Sequence, residues 1–221
     1  MPERLFTATL GFNETYLVNT LHRYGASRGD GVLIITLYPV VGGVRRALNN
    51  LNGIASVMGF TMHGVVGIRR ERPVESIINI IDRISEVAVE HGYKCVIADL
   101  TGGPRMVIMA TMTALLLLPG NIGVEVRVQD ETGGEGDLRL DIEVLKASLK
   151  GLGEKGRVLA YIVSNPGASP GAIAEALGLS PKTVANYITH LKRLGLVAQK
   201  GRGRGVYPTE WGAILSKLGR V

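Results

Sequence analysis

The residues best suited to chemistry lie in the stretch Cys95-Val96-Ile97-Ala98-Asp99-Leu100-Thr101-Gly102-Gly103-Pro104-Arg105-Met106. The Thr101 hydroxyl and the Arg105 cation flank a Gly102-Gly103 pair, and an apolar run from Met106 to Leu118 follows. Two glycines let backbone N–H groups come close to a ligand with no Cβ in the way. Pro104 fits a first helical turn, where its missing N–H costs nothing. A hydroxyl and a fixed cation at the positive end of a helix dipole suit an anion, above all a phosphate. The same residues also read as a structural turn in which Thr101 merely caps the helix.

Such a loop needs a strand before it and a helix after it. Cys95 to Asp99 has no helical pattern and reads as a buried parallel strand, and Met106 to Leu118 reads as a buried helix. Upstream, Arg4–Leu10 alternates as a first strand, broken by Gly11-Phe12-Asn13-Glu14-Thr15, and a helix follows from Thr15 to Tyr24. Val32–Leu37 is a nearly continuous apolar run, as expected of a central parallel strand covered on both faces. Val44, Leu48, Leu51 and Ala55 mark a helix over 43–58, and Phe60–Ile68 alternates as a third strand. Arg69-Arg70-Glu71-Arg72 ends that strand, and Pro73 opens a helix with the stripe Ile77, Ile81, Ile84 and Ala88. Val124–Val128 is a fifth strand, and Leu138–Val144 returns as an antiparallel edge strand.

Strand and helix alternate four times, which predicts an α/β fold with an open, mostly parallel sheet of Rossmann type. Its ligand belongs at the carboxyl ends of the strands, where Gly11–Thr15, Arg69–Arg72 and Thr101–Arg105 emerge. The three-glycine dinucleotide fingerprint is absent, as is a P-loop lysine followed by Ser or Thr, so neither a redox nor an NTPase reading is supported.

Composition narrows the classes further. The single cysteine, Cys95, permits no internal disulfide and points to a reducing, cytoplasmic compartment. One cysteine and four scattered histidines (His22, His63, His91, His190) show no zinc-ligand spacing, so no metal site and no cofactor are expected. Met1–Phe6 does not read as a signal peptide, and the 13-residue run Met106–Leu118 is short of the roughly 20 that span a bilayer. If that helix is apolar on every side, a subunit interface is a natural place for its surplus face.

Charge divides the chain. The net charge of +6 comes from a first part, 1–151, with 15 Lys+Arg against 16 Asp+Glu, and a remainder, 152–221, with 10 against 3. The last third thus carries all of the excess and points to nucleic acid as its partner. Residues 1–150 form the predicted sensing and dimerisation domain, 151–221 the second domain, with Lys150–Gly156 as a flexible junction.

In the second domain, helices are expected from Arg157, from Pro170 after Ser169, and from Pro181 after the cap Ser180. In the third, Val184, Ile188, Leu191 and Leu194 face inward, leaving Lys182, Thr183, Asn186, Tyr187 and His190 to face outward; Tyr187 alternatively packs on the inner stripe. Two short strands flank Lys200-Gly-Arg-Gly-Arg-Gly205, a basic wing tip, and Thr209 caps a closing helix. This pattern predicts a winged helix–turn–helix that binds double-stranded DNA, with the third helix in the major groove and Lys200, Arg202 and Arg204 on phosphate or the minor groove.

Asp99-Leu-Thr-Gly-Gly-Pro-Arg105 after an apolar strand, Gly11-Phe12-Asn13 after the first strand, and the C-terminal winged helix together resemble one family over essentially the whole chain. It is the archaeal CRISPR-associated transcription regulators whose sensor is the CARF domain (CRISPR-associated Rossmann fold). The resemblance implies a homodimer that binds a cyclic oligoadenylate, expected to be cyclic tetra-adenylate, across its two-fold axis and regulates CRISPR loci in antiviral defense. By motif, the ligand residues would be Gly11, Phe12, Asn13, Thr101, Gly102, Gly103, Pro104 and Arg105. Pro104-Arg105 stands where the family commonly shows Thr-Lys, replacing a hydroxyl and a point charge with a ring and a planar fork. No catalytic residue is assigned: the loops hold no histidine or acid–base pair, and Asp99 reads as a cap for the loop amides. The competing readings are a ring nuclease that cleaves its own ligand, assisted by Thr101, Arg105 and Asn13, and a DNA-binding protein whose first domain only dimerises.

Overall fold

The computed structural model describes residues 3–130, 136–199 and 205–217, which divide into two compact units, 1–142 and 143–221. The first unit alternates strand and helix. β1 (Arg4–Thr9), α1 (Thr15–Arg23), β2 (Gly31–Tyr38), α2 (Gly42–Met58), β3 (Thr61–Arg69) and α3 (Pro73–His91) come first. β4 (Cys95–Asp99), α4 (Arg105–Leu117), β5 (Gly123–Gln129) and β6 (Asp137–Asp141) follow. The sheet order is β3-β2-β1-β4-β5-β6, parallel throughout except for the antiparallel β6. The order reverses between β1 and β4, and that is the switch point at which ligands bind in such sheets.

The layers follow from strand parity. Phe6, Ala8, Val32, Ile34 and Ile97 share one face and meet Leu17 and Leu21 of α1 and Val44, Ala47, Leu51 and Ala55 of α2 in a dry core. On the other face α3 and α4 pack against each other and the sheet. The helix stops are local: Gly59 and Gly92 end α2 and α3 in the left-handed conformation that glycine alone adopts without strain. α4 is apolar all round, yet only Val107, Ala110, Thr111, Ala114 and Leu115 are buried, while Met109 and Leu117 stay exposed.

The polarity of the α1-facing side changes along the sheet. Glu125, Arg127 and Gln129 of β5 point there, with Val124 and Val126 buried on the opposite side. The Tyr24 hydroxyl donates to Glu125, and burial together with that carboxylate pushes its pKa up to about 12. Beside it Arg4 of β1 donates to the Tyr24 carbonyl and holds Asp30 through its backbone N–H, Nε and Nη2.

One expected element is corrected. Leu138–Val144 is not one strand: β6 ends at Asp141, and Ile142 opens α5 (Ile142–Lys150). The alternation continues past Asp141, but the pairing with β5 stops at Asp141–Glu125, and the buried Ile142 and Val144 belong to α5. Val144 is buried instead among the apolar residues of the second unit.

The second unit holds α6 (Glu154–Ser164), α7 (Pro170–Leu177), α8 (Pro181–Arg193), β7 (Val197–Gln199), β8 (Val206–Pro208) and α9 (Glu210–Lys217). Ser169 and Ser180 cap α7 and α8 by accepting the N–H groups of Ala172 and Thr183. Val158, Leu159, Ile162, Ile173, Val184, Ile188 and Leu191 form its core. β7 and β8 pair antiparallel as the stem of the wing.

Candidate functional site

A pocket of about 570 Å³ opens at the carboxyl edge of the sheet. Gly11 and Phe12 reach it from β1, Thr36, Leu37, Pro39 and Val41 from β2, Val44 from α2, Arg70 from β3, and Gly103 and Pro104 from β4. Four strand-to-helix loops therefore meet there. Neither α2 nor α4 has a side chain capping its N-terminus, where Val41 and Pro104 stand. The free first-turn N–H groups and the dipoles of both helices are thus presented to an anion at the pocket rim.

The glycines have a second role beyond closeness to a ligand. A Cβ on Gly11 would lie 3.1 Å from Gly103 Cα, and one on Gly102 would lie 3.1 Å from the Thr9 carbonyl oxygen. These glycines let two loops pack backbone to backbone. Phe12 is 76% exposed, yet its ring lies against the start of α2, since a Cβ on Gly43 would meet it at 2.7 Å. One side of the ring rests on α2 and most of it stays open to a partner.

The expected ligand residues divide. Gly11, Phe12, Gly103 and Pro104 line the pocket. Asn13 is exposed, and its Oδ1 accepts the Thr15 N–H at the start of α1. Arg105, exposed, is the first residue of α4, and Pro104 stands before the helix and not within its first turn. Thr101 is buried, and its hydroxyl accepts the Gln129 N–H at 2.8 Å; the alternative in which it caps α4 is the one corrected. Its own N–H goes to Asp99 Oδ1 at 2.9 Å, and the Gly102 carbonyl accepts the Thr9 hydroxyl. Thr101 and Asp99 therefore hold the loop from below while Gly103 and Pro104 present it.

Arg70 was not singled out in the sequence, although its loop was. The Pro39–Val41 wall was missed altogether. Its signal was present as Pro39-Val40-Val41-Gly42-Gly43 directly after an apolar strand, a fourth loop on the ligand side of the sheet.

In the second unit Lys182, Ala185, Asn186 and Thr189 form the exposed face of α8, of which Ala185 and Thr189 were not anticipated. Three of the expected contact residues have partners within the unit. The Thr183 hydroxyl is engaged with Ser180 Oγ at 2.8 Å in the cap. Tyr187 packs on the core with the Lys155 ammonium 5.9 Å from its ring centre. His190 is half-buried, and burial, followed by the charges of Lys155 and Arg193, pushes its imidazole below the usual value. Tyr187 and His190 sit at i, i+3 on the flank of α8 beside Lys155 of α6, which the inner-stripe count leaves outside. Lys200, Arg202 and Arg204 lie outside the described residues.

Among the described residues no group of three or more His, Cys, Asp or Glu is arranged to hold a metal ion, and no helix is long and apolar enough to cross a membrane.

Residues 4–141 match the Csa3 CRISPR-associated Rossmann-like domain, and residues 155–198 match a winged helix-turn-helix DNA-binding domain. The CRISPR locus-related protein Csa3 of Saccharolobus solfataricus is 28% identical over 216 residues, which cover 97% of this chain and 88% of that protein. Among solved structures, Enterococcus italicus Csm6 bound to cyclic hexa-2′-fluoro-hexa-dAMP resembles this chain with a TM-score of 0.52 at 9% identity. That likeness covers 88% of this chain and 54% of Csm6, and it is one of fold. The chain belongs to the Csa3 family of CRISPR-associated proteins, with a CARF-type Rossmann-like domain followed by a winged helix-turn-helix domain.

Proposed function

We propose that this protein is a cytoplasmic, ligand-responsive transcription regulator of CRISPR loci, a homodimer that senses a cyclic oligoadenylate, with cyclic tetra-adenylate as the expected ring. The observation that carries the reading is the switch-point pocket, where an open Phe12 ring, Arg70 and two uncapped helix N-termini stand together. An aromatic platform suits a base, and the helix ends with Arg70 and Arg105 suit phosphates. Gly11, Phe12, Asn13, Gly102, Gly103, Pro104 and Arg105 are the proposed ligand residues, joined by Arg70.

A two-fold dimer presents every loop twice and so matches a ring of even size. Val74 and Ile78 of α3 and Met109 and Leu117 of α4 are exposed and apolar, which supports dimerisation through that face. In the second domain Lys182 and Asn186, with Thr189, are proposed to meet duplex DNA in the major groove, and Lys200, Arg202 and Arg204 to meet phosphate.

The pocket lining holds no histidine and no carboxylate among the described residues, which favours binding over cleavage. Incubation with cyclic tetra-adenylate followed by chromatography and calorimetry tests this. Binding with the ring intact supports a sensor. Linear products would make the protein a ring nuclease, and no heat would leave the first domain to dimerise only.

A further inference from the structure

Beneath the ligand loop lies a buried polar network that the sensing reading does not use. Asp99 is buried at the end of β4, and its Oδ1 accepts the Thr101 N–H. Its Oδ2 accepts the Thr20 hydroxyl of α1 and, at 2.6 Å, the Gln129 amide Nε2 at the end of β5. The same Nε2 lies 2.7 Å from the Tyr16 carbonyl oxygen and 3.1 Å from Thr20 Oγ1, while the Gln129 backbone N–H donates to Thr101 Oγ1. One buried residue thus touches the loop through its backbone and α1 and β4 through its side chain.

We propose that Gln129 is a positioning residue that couples occupancy of the Thr101–Arg105 loop to the β5–β6 hairpin. The inference rests on the reading of that loop as the ligand site. A ligand that draws on the loop displaces Thr101, whose N–H holds Asp99 Oδ1, and the Gln129 side-chain amide on Asp99 Oδ2 either follows or loses a buried bond, which is unfavourable. Following moves the end of β5. From β6 the chain enters α5 with no residue between, so the displacement has a covalent route out of the sheet.

Two features equip the network for a second arrangement. The amide of Gln129 has two hydrogens for three acceptors in reach, so it can trade one for another at little loss. Arg127, two residues back on the same face, is wholly buried, lies over the Tyr24 ring and binds Asp137 of β6 through Nη2, while its Nε and Nη1 have no hydrogen-bond partner among the described residues. Unfilled donors in a buried guanidinium mark an arrangement that a small shift can improve.

The test compares the full-length protein with its Gln129→Met variant, reading the dissociation constant for a duplex from upstream of its own gene with and without saturating cyclic tetra-adenylate. Wild type is expected to show constants that differ by about fivefold or more, the usual size of a coupling between sites. In the variant the ligand still binds by calorimetry, but the two DNA constants become equal. A Gln129 that only supports the fold would lower both affinities and keep their ratio, and that result overturns the proposal. Thr20→Val, which removes a donor to Asp99 at constant shape, replaces Gln129→Met if the latter does not fold. Hydrogen exchange on wild type adds a second readout: ligand is expected to slow amides of 123–129 as well as 101–105, and slowing confined to 101–105 overturns the coupling. Absence of ligand binding by wild type overturns the sensing reading itself, and this proposal with it.

Discussion

Gly11 and Gly103 meet so closely that a Cβ on the first would lie 3.1 Å from the Cα of the second. Neither loop of the switch point can therefore be shaped independently of the other. Gly103 also has φ +96°, and a Cβ there would lie 3.3 Å from the Leu10 carbonyl group. Gly103→Ala is expected to lower unfolding free energy by about 1–3 kcal/mol, the cost of a strained backbone, and to open the crevice. Gly120→Ala, where a Cβ meets nothing within 4 Å, is the matched control and should be close to neutral. Denaturant melts of both variants check this.

Arg70 lines the crevice, and Arg105 opens α4 directly after the lining residue Pro104. If each meets a ligand phosphate, each alanine variant loses a charge-assisted hydrogen bond of about 1.5–3 kcal/mol, at least tenfold in affinity. Calorimetry on the single and double variants measures this. Unchanged affinity in a folded Arg105→Ala would remove that residue from the site.

Much of this arrangement was legible in the sequence, for definite reasons. The strands were readable because Val32–Leu37 and Cys95–Asp99 are buried on both faces, and Pro73 and Gly92 mark where α3 starts and stops. The crevice followed from the order of elements. The roles of particular side chains did not follow, because burial is decided by long-range packing. Thr101 and Gln129 are 28 residues apart in the chain yet hydrogen-bonded, so nothing local showed the Thr101 hydroxyl to be turned inward. Leu138–Val144 failed for a related reason: Val144 is taken into a core built by residues far along the chain, and the helix that carries it starts at Ile142.

Asp30 gives the first unit an acid-sensitive clamp. Burial pushes its carboxyl up, but the side-chain and backbone hydrogen bonds from Arg4 and the Ser27 N–H outweigh this and hold it below the usual carboxylate range. The folded state therefore releases that proton more readily than the unfolded chain. The stabilisation is full above the unfolded value near 4 and is lost as pH falls through the lower folded value. Asp30→Asn is expected to cost roughly 1.5–3 kcal/mol at neutral pH, the size of hydrogen bonds to a charged group, and to flatten the acid limb below about pH 4. Thermal melts across pH 2–7 check it.

In the second unit the division between reading and holding DNA is measurable. Asn186 is exposed on a capped helix, a rigid placement for bidentate contact with adenine. Asn186→Ala is expected to cost about 1–3 kcal/mol of discrimination at one position of each half-site and to leave the salt dependence nearly unchanged. Arg202→Ala with Arg204→Ala should flatten the slope of log affinity against log salt by roughly 3–4 in a dimer, from about 0.9 per phosphate contact. Tyr187→Phe, packed on the core beside Lys155, should leave sequence preference as it was. Salt titrations on matched and scrambled duplexes separate the three.

The central claim is that the crevice between β1 and β4 binds a cyclic oligoadenylate, and titration calorimetry of the full-length protein with cyclic tetra-adenylate, cyclic hexa-adenylate and linear tetra-adenylate tests it most directly. The expected result is one ring per two chains, with cyclic tetra-adenylate bound most tightly and binding weakened at least tenfold in Arg105→Ala. Equal, weak heats from the cyclic and linear forms, unaffected by Arg105→Ala, would contradict it.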